Sequence, residues 1–245
     1  MEWNMSGRTA LVTGSTDGIG VAIARTLAAE GAQLIVSGRN AELGVQVVQS
    51  ILDKGGEARF AAADLSTGDG VRALAAAAGP VDILVNNAAM LLAPLPTADV
   101  PEDAIDQALA TNIKAIFLLT GLLAPVMAGR GTGGVVNVGS INGLVGMANS
   151  ALYSATKAAI HSLTKSWAAE YGPFGVRVNT VAPGPTITPI MAEYAERIQR
   201  IIARAPSQRP STPEQVAAAV AFLVSDNAAN IHGATLSIDG GLTAI

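Results

Sequence analysis

Thr9-Ala10-Leu11-Val12-Thr13-Gly14-Ser15-Thr16-Asp17-Gly18-Ile19-Gly20 is the stretch on which the rest of the chain depends. Its first part is an apolar run ending at Thr13-Gly14, with the length and composition of a buried strand. The glycine turn leads straight into an amphipathic helix running to about Glu30. Strand, glycine turn and helix together make a cradle for a pyrophosphate: glycines let the backbone come close, and the helix N-terminus offers unpaired N–H groups and partial positive charge. The spacing is G-x-x-x-G-x-G, which departs from the G-x-G-x-x-G of many dinucleotide folds. No Lys-Ser or Lys-Thr follows, so the turn is not a mononucleotide P-loop.

Ala32–Ser37 reads as a second strand and ends in Gly38-Arg39. An acidic residue near this strand end suits the ribose hydroxyls of NAD, whereas an arginine suits a 2′-phosphate. Arg39 therefore favours NADP(H) and leaves NAD(H) as the second cofactor, while Asp17 in the turn weighs against a phosphate. Ala58–Ala63 is a third strand closed by Asp64-Leu65, with Asp64 placed either to meet the adenine edge or to cap the helix beginning near Ser66. Val81–Val85 is a fourth and runs into Asn86-Asn87-Ala88-Ala89, whose small residues leave room for a flat ligand. Val135–Gly139, Gly175–Val181 and Ala234–Ile238 complete the set. Strands alternating with helices at this spacing predict an α/β fold with a parallel, doubly wound sheet.

The chain has 245 residues, half of them hydrophobic and only 14% charged, against about 25% in typical soluble domains. One domain over 1–245 is expected, with residues 1–7 as a short N-terminal extension. Ala115–Met127 falls short of the roughly 20 residues that span a bilayer and reads as a buried helix. The start, Met1-Glu2-Trp3-Asn4-Met5, lacks the basic and apolar regions of a signal peptide, so a cytoplasmic location is expected. With no cysteine and two histidines far apart, neither a disulfide framework nor a metal site is expected. A formal charge of −4 argues against a nucleic-acid partner.

The chemistry is expected at Tyr153-Ser154-Ala155-Thr156-Lys157. Tyrosine and lysine at this spacing share one helix face, and Ser140 arrives on the C-terminal edge of the sheet, where open α/β sheets bind ligands. A free tyrosine titrates near 10, and an ammonium one turn away favours the phenolate and should lower that value. Tyr153 would then exchange a proton with an alcohol or carbonyl oxygen that Ser140 holds, with a nicotinamide as the hydride partner. His161, with no acidic partner apparent, reads as a packing residue.

Thr13-Gly14-x-x-x-Gly18-x-Gly20, Asp64-Leu65, Asn86-Asn87-Ala88, Asn112, Ser140, Tyr153-x-x-x-Lys157 and Pro183-Gly184 together resemble the short-chain dehydrogenase/reductase family, in its order and over nearly the whole chain. The resemblance implies a seven-stranded Rossmann-type sheet and a catalytic tetrad of Asn112, Ser140, Tyr153 and Lys157. It further implies that Lys157 holds the nicotinamide ribose, that Asn112 keeps a water in a proton relay, and that Thr188 with the backbone of Pro183–Thr188, Thr186 included, meets the nicotinamide end. Ala89 stands where the family usually has glycine.

Ile190, Met191, Tyr194, Ile198, Ile201 and Ile202 fall near one helical face, so residues 186–210 are expected to cover an apolar substrate pocket. An uncharged ketone or secondary alcohol is the expected substrate. A 3-oxoacyl thioester is the alternative, given Arg197, Arg200 and Arg204, and a non-catalytic dinucleotide sensor or scaffold is the competing class. Ile113–Met127 is apolar around much of its circumference, and the tyrosine helix carries small residues. By resemblance to the family, these two helices would pair with their mates in a homotetramer.

Overall fold

The computed structural model describes residues 3–188 and 194–245, without the side chain of Arg197. Ile190 and Met191 of the expected lid lie outside the described residues. In chain order the elements are β1 Thr9–Thr13, α1 Gly18–Ala29, β2 Gln33–Gly38, α2 Ala41–Leu52, β3 Glu57–Ala62, α3 Gly68–Ala78, β4 Ile83–Asn86, α4 Glu102–Leu109, α5 Ala115–Gly129, β5 Gly133–Val138, α6 Ala151–Tyr171, β6 Val176–Pro183, α7 Ala195–Ile202, α8 Pro213–Val224 and β7 Thr235–Ile238. The strands form one parallel sheet in the order β3-β2-β1-β4-β5-β6-β7. The order reverses between β1 and β4, the switch point at which such sheets bind ligands.

Strand periodicity divides the core into two layers. Ala10 and Val12, Leu34 and Val36, Ile83 and Val85, and Val136 and Val138 pack on the side of α1 and α8. Leu11, Ile35, Leu84 and Val135, alternating with them, pack on the side of α3, α5 and α6. Because both faces are covered, the strands read as unbroken apolar runs. The N-terminal segment is anchored: Met5 is fully buried and its N–H donates to the Glu30 carbonyl, 2.7 Å.

The apolar stretch Ala115–Met127 is part of a longer helical run. Helix runs on from Glu102 to Gly129, 28 residues, long and apolar enough by composition to cross a membrane. Ile116, Leu119, Leu123 and Met127 nonetheless belong to the core layer under the sheet, the arrangement of a core helix. A π-helical segment, Ala110–Lys114, separates α4 from α5 and carries Asn112. Such bulges shift the register of the downstream helix and are frequent at functional sites.

Candidate active site

The glycine turn is held by its neighbours' side chains. Asn87 Nδ2 donates to the carbonyls of Thr13 and Gly14, both at 2.9 Å, and the Thr13 hydroxyl accepts from the N–H groups of Asn87 and Ala88. The fit is close enough that a Cβ on Gly20 would lie 2.1 Å from the Gly14 oxygen, and one on Gly14, where φ is +61°, 2.8 Å from Ala88 Cα. Gly18, the first residue of α1, faces Thr188: a Cβ there would meet the threonine methyl at 3.6 Å, so the loop after β6 reaches the α1 N-terminus.

Several expected contact residues have definite local roles. Ser15 is fully buried and joins β1 to β2, donating to the Val12 carbonyl at 2.7 Å and accepting from Ser37 N–H at 2.9 Å. Asp17 is the N-cap of α1, accepting from Gly18 N–H at 2.7 Å. Ile19 and Leu65 pack against the two core layers. Asp64 accepts from Ser66 N–H at 3.0 Å, whereas Thr67 caps α3, so of the two expected roles for Asp64 the helix cap is taken by another residue. Arg39 is exposed and joins no salt bridge among the described residues. It lies near enough to Asp64 to help lower that carboxyl's pKa, after the hydrogen bonds from Ser66. Asn86 is different: buried at 1% exposure, its Nδ2 donates to Thr120 and Asn137, which places its side chain in the core beneath the edge. Pro183 ends β6, the Gly184 N–H donates to Ile238 O, and the Thr186 hydroxyl donates to Gly184 O.

At the other half of the edge, β5 delivers Ser140, whose hydroxyl accepts from Asn142 N–H and so caps the turn Ile141–Gly143. The first turns of α6 bring Tyr153 and Lys157 alongside, with Lys157 Nζ 5.6 Å from the Tyr153 ring centroid. Lys157 is buried and donates to the Val138 carbonyl at 2.9 Å. The Asn112 amide is committed: it accepts from Met90 N–H at 2.7 Å and donates to Met90 O at 3.0 Å and to Thr156 Oγ1 at 3.4 Å. Its side chain therefore positions the loop after β4.

The proton energetics run against the sequence expectation for tyrosine. Burial pushes the Tyr153 phenol up to about 12, and a hydrogen bond with Ser140 pulls it only partly back. Burial brings Lys157 down to about 8. The Tyr153 phenol is thus shifted opposite to the expected direction, because desolvation outweighs the Ser140 hydrogen bond, while the lysine ammonium is directed to the Val138 carbonyl.

Sequence reasoning missed two features. One is a buried polar chain from Asn86 through Asn137 to Thr164 and Thr180, with Asn137 Nδ2 to Thr164 at 2.8 Å and Thr164 to Thr180 at 2.6 Å. The other is His161, whose Nε2 lies 3.1 Å from the Ser140 carbonyl.

A parallel sheet with its glycine turn at the switch point and a serine, tyrosine and lysine converging at the same edge defines an oxidoreductase of the dinucleotide-binding class. The chain belongs to the short-chain dehydrogenase/reductase family. Residues 14–243 match the family model described as enoyl-(acyl carrier protein) reductase. Over 243 residues the chain is 40% identical to cis-4-hydroxycyclohexanecarboxylate dehydrogenase of Sinomonas cyclohexanicum, covering 97% of each chain. It is 36% identical over 247 residues to cyclopentanol dehydrogenase of Comamonas testosteroni, covering 98% of each. Among solved structures, a putative NAD(P)-dependent gluconate 5-dehydrogenase from Beutenbergia cavernae with bound NADP superposes with a TM-score of 0.95, at 37% identity and 100% coverage of both chains. The protein is accordingly an NAD(P)-dependent enzyme acting on CH–OH or C=O groups. Ala88 and the Gly14 carbonyl occupy the directions in which side chains at Gly14 and Gly20 would point, so the turn keeps the tight shape that leads into the N-terminus of α1, a place suited to the cofactor's pyrophosphate.

Proposed function

We propose that the protein is an NADP(H)-preferring reductase of uncharged ketones, working in reverse on the matching secondary alcohols, with Asn112, Ser140, Tyr153 and Lys157 as its catalytic group. The observation that carries this reading is the convergence of Ser140, Tyr153 and Lys157 at the edge bearing the glycine turn. The bound nicotinamide supplies or accepts hydride at the substrate carbon. Tyr153, a neutral phenol at physiological pH, gives the carbonyl oxygen its proton in reduction and recovers it in oxidation. Ser140 orients that oxygen, and Lys157 would steady the phenolate and hold the nicotinamide ribose when the cofactor is bound. Asn112 acts by fixing Met90 and Thr156 around them. In this reading the glycine turn, Asp64-Leu65, Asn87-Ala88 and Pro183–Thr188 line the cofactor, with Asn86 supporting them from below.

Three observations support the finer points. The exposed guanidinium of Arg39, outside any salt bridge among the described residues, is available to a 2′-phosphate. Segments 83–98, 131–156 and 178–188 contain no Asp, Glu, Lys, Arg or His, and Leu91, Leu95, Leu144, Val145 and Ile187 in them are exposed, which suits an uncharged substrate. The relatives named for cyclopentanol and cis-4-hydroxycyclohexanecarboxylate point to cyclic secondary alcohols as the first to try. We also take the chain as one domain with residues 186–210 over the substrate, in the cytoplasm. Phe117, Leu122 and Val126, exposed on α5, support assembly into a tetramer through α5 and α6; light scattering at micromolar concentration should report about four chains, and an active monomer would contradict it.

The decisive test is a panel of cyclic ketones, linear ketones and 3-oxoacyl thioesters compared by kcat/KM with NADPH. Cyclic or linear ketones should lead. A preference of several hundredfold for the thioester, roughly 3 to 4 kcal/mol in transition-state binding, would replace this reading with the acyl-carrier one. No turnover across the panel with cofactor binding intact would indicate a sensor.

A further inference from the structure

His161 lies on α6 beyond Tyr153 and Lys157, one helical turn after the lysine and on the same face. It is 6% exposed, and both ring nitrogens have partners: Nε2 is 3.1 Å from the Ser140 carbonyl and Nδ1 is 3.1 Å from Thr235 Oγ1. A carbonyl only accepts, so Nε2 must carry the proton; Nδ1 then accepts, and the Thr235 hydroxyl donates to it. The pair of contacts selects one neutral tautomer. Burial holds the imidazole's pKa below its usual value, and Lys157 and Lys165 act in the same direction against the upward pull of the Ser140 hydrogen bond.

The ring sits in a slot built for it. Gly139 and Gly143 flank the serine turn, and a Cβ would lie 2.9 Å from Nε2 at the first and 2.6 Å from Cδ2 at the second. Helix α6 thus grips the end of β5 twice, with Lys157 on the Val138 carbonyl and His161 on the Ser140 carbonyl. The residue that presents the orienting hydroxyl is held through its own backbone from the helix that carries the phenol.

We propose that His161 is a positioning residue for Ser140: as the Nε2-protonated imidazole, fixed in that tautomer by Thr235, it locks the serine backbone so that the hydroxyl meets the substrate oxygen beside Tyr153. This rests on the reading of Ser140 as catalytic. Loss of such a lock displaces the hydroxyl without touching cofactor or substrate, and misplacement by about 1 Å can cost on the order of a hundredfold in rate.

The test is a cycle on purified, folded enzyme with NADPH and the best ketone. His161→Leu should lower kcat by about ten- to a hundredfold while KM for NADPH stays near wild type. His161→Gln, whose amide can reach the Ser140 carbonyl, should recover much of the loss. In a Ser140→Ala background His161→Leu should have no further effect on kcat. An equal loss in that background, or wild-type kcat in His161→Leu, overturns the proposal. If the leucine variant does not fold, Thr235→Val carries the test: a smaller fall in kcat, absent in the Ser140→Ala background, supports the lock, and an unchanged kcat overturns it. Wild-type turnover in Ser140→Ala alone would instead remove the reading of Ser140 on which the proposal rests.

Discussion

Around β1 and β4 the ligand-facing edge is shaped by backbone, with glycines bare against the Thr13–Asn87 clasp, whereas around β5 and α6 it is shaped by buried side chains that hold backbone carbonyls. At Gly14 and Gly20 the first half has no room for an added atom, but it contains little chemistry of its own. The second half contains the titratable groups and sets their protonation by burial. Cofactor binding at the turn and proton transfer on α6 thus rest on largely separate physical devices, so substitutions in each half should fail in different ways.

The largest effect on binding is expected at Gly20. A methyl there would lie 2.1 Å from the Gly14 oxygen and 2.6 Å from Asn87 Nδ2, so the turn must open. Overpacking of this kind costs about 1 to 3 kcal/mol. Gly20→Ala should weaken NADPH binding by up to about a hundredfold while leaving kcat at saturating cofactor close to wild type. A fall in kcat at saturation with binding unchanged would break the division between the halves.

Arg39→Asp should be the next largest. A charge-assisted hydrogen bond to a phosphate is worth about 1.5 to 3 kcal/mol, so NADPH affinity should fall roughly ten- to a hundredfold with NADH affinity much less affected. Isothermal titration with both cofactors checks it. Equal wild-type affinities would make Arg39 an ordinary surface charge.

The smallest effect is a pH dependence belonging to the catalytic half alone. Lys157, brought down to about 8 by burial, is protonated at neutral pH, and in the proposed mechanism it would favour a phenolate forming on Tyr153. As pH rises through about 8 that charge is lost, so kcat/KM for reduction should level off below this value and decline above it. NADPH binding, carried mainly by the glycine turn at the pyrophosphate, should change much less over the same range, by no more than the share that Lys157 supplies at the ribose. A reduction profile flat well beyond that pH would mean that Lys157 does not support the proton transfer.

The sheet was legible because each strand is an apolar run closed by small or turn residues, and Gly14, Gly18 and Gly20 mark the switch point. Ser140, Tyr153 and Lys157 were legible as residue types in order. What escaped was whatever depends on distant partners or on solvent. Asn86 read as a ligand contact because its place after β4 was visible, whereas its bonds to Thr120 and Asn137 join residues 34 and 51 positions away. His161 lacked an acidic neighbour in sequence, and its partners are a carbonyl at Ser140 and a hydroxyl at Thr235. The Tyr153 shift was read from the lysine's charge alone, while the burial that raises it follows from packing across several elements. The π-helical segment at Asn112 escaped because nothing in the residue types of Ala110–Lys114 sets it apart from ordinary helix.

Tyr153→Phe separates proton transfer by the phenol from cofactor binding at the glycine turn. On one preparation, the NADPH dissociation constant would be measured by titration and the rate of NADPH oxidation by single turnover with saturating ketone. The account predicts a dissociation constant near wild type and a rate lower by about a hundred- to ten-thousandfold, the range for a lost general acid. A wild-type-like rate, or a loss explained wholly by weaker NADPH binding, would contradict it.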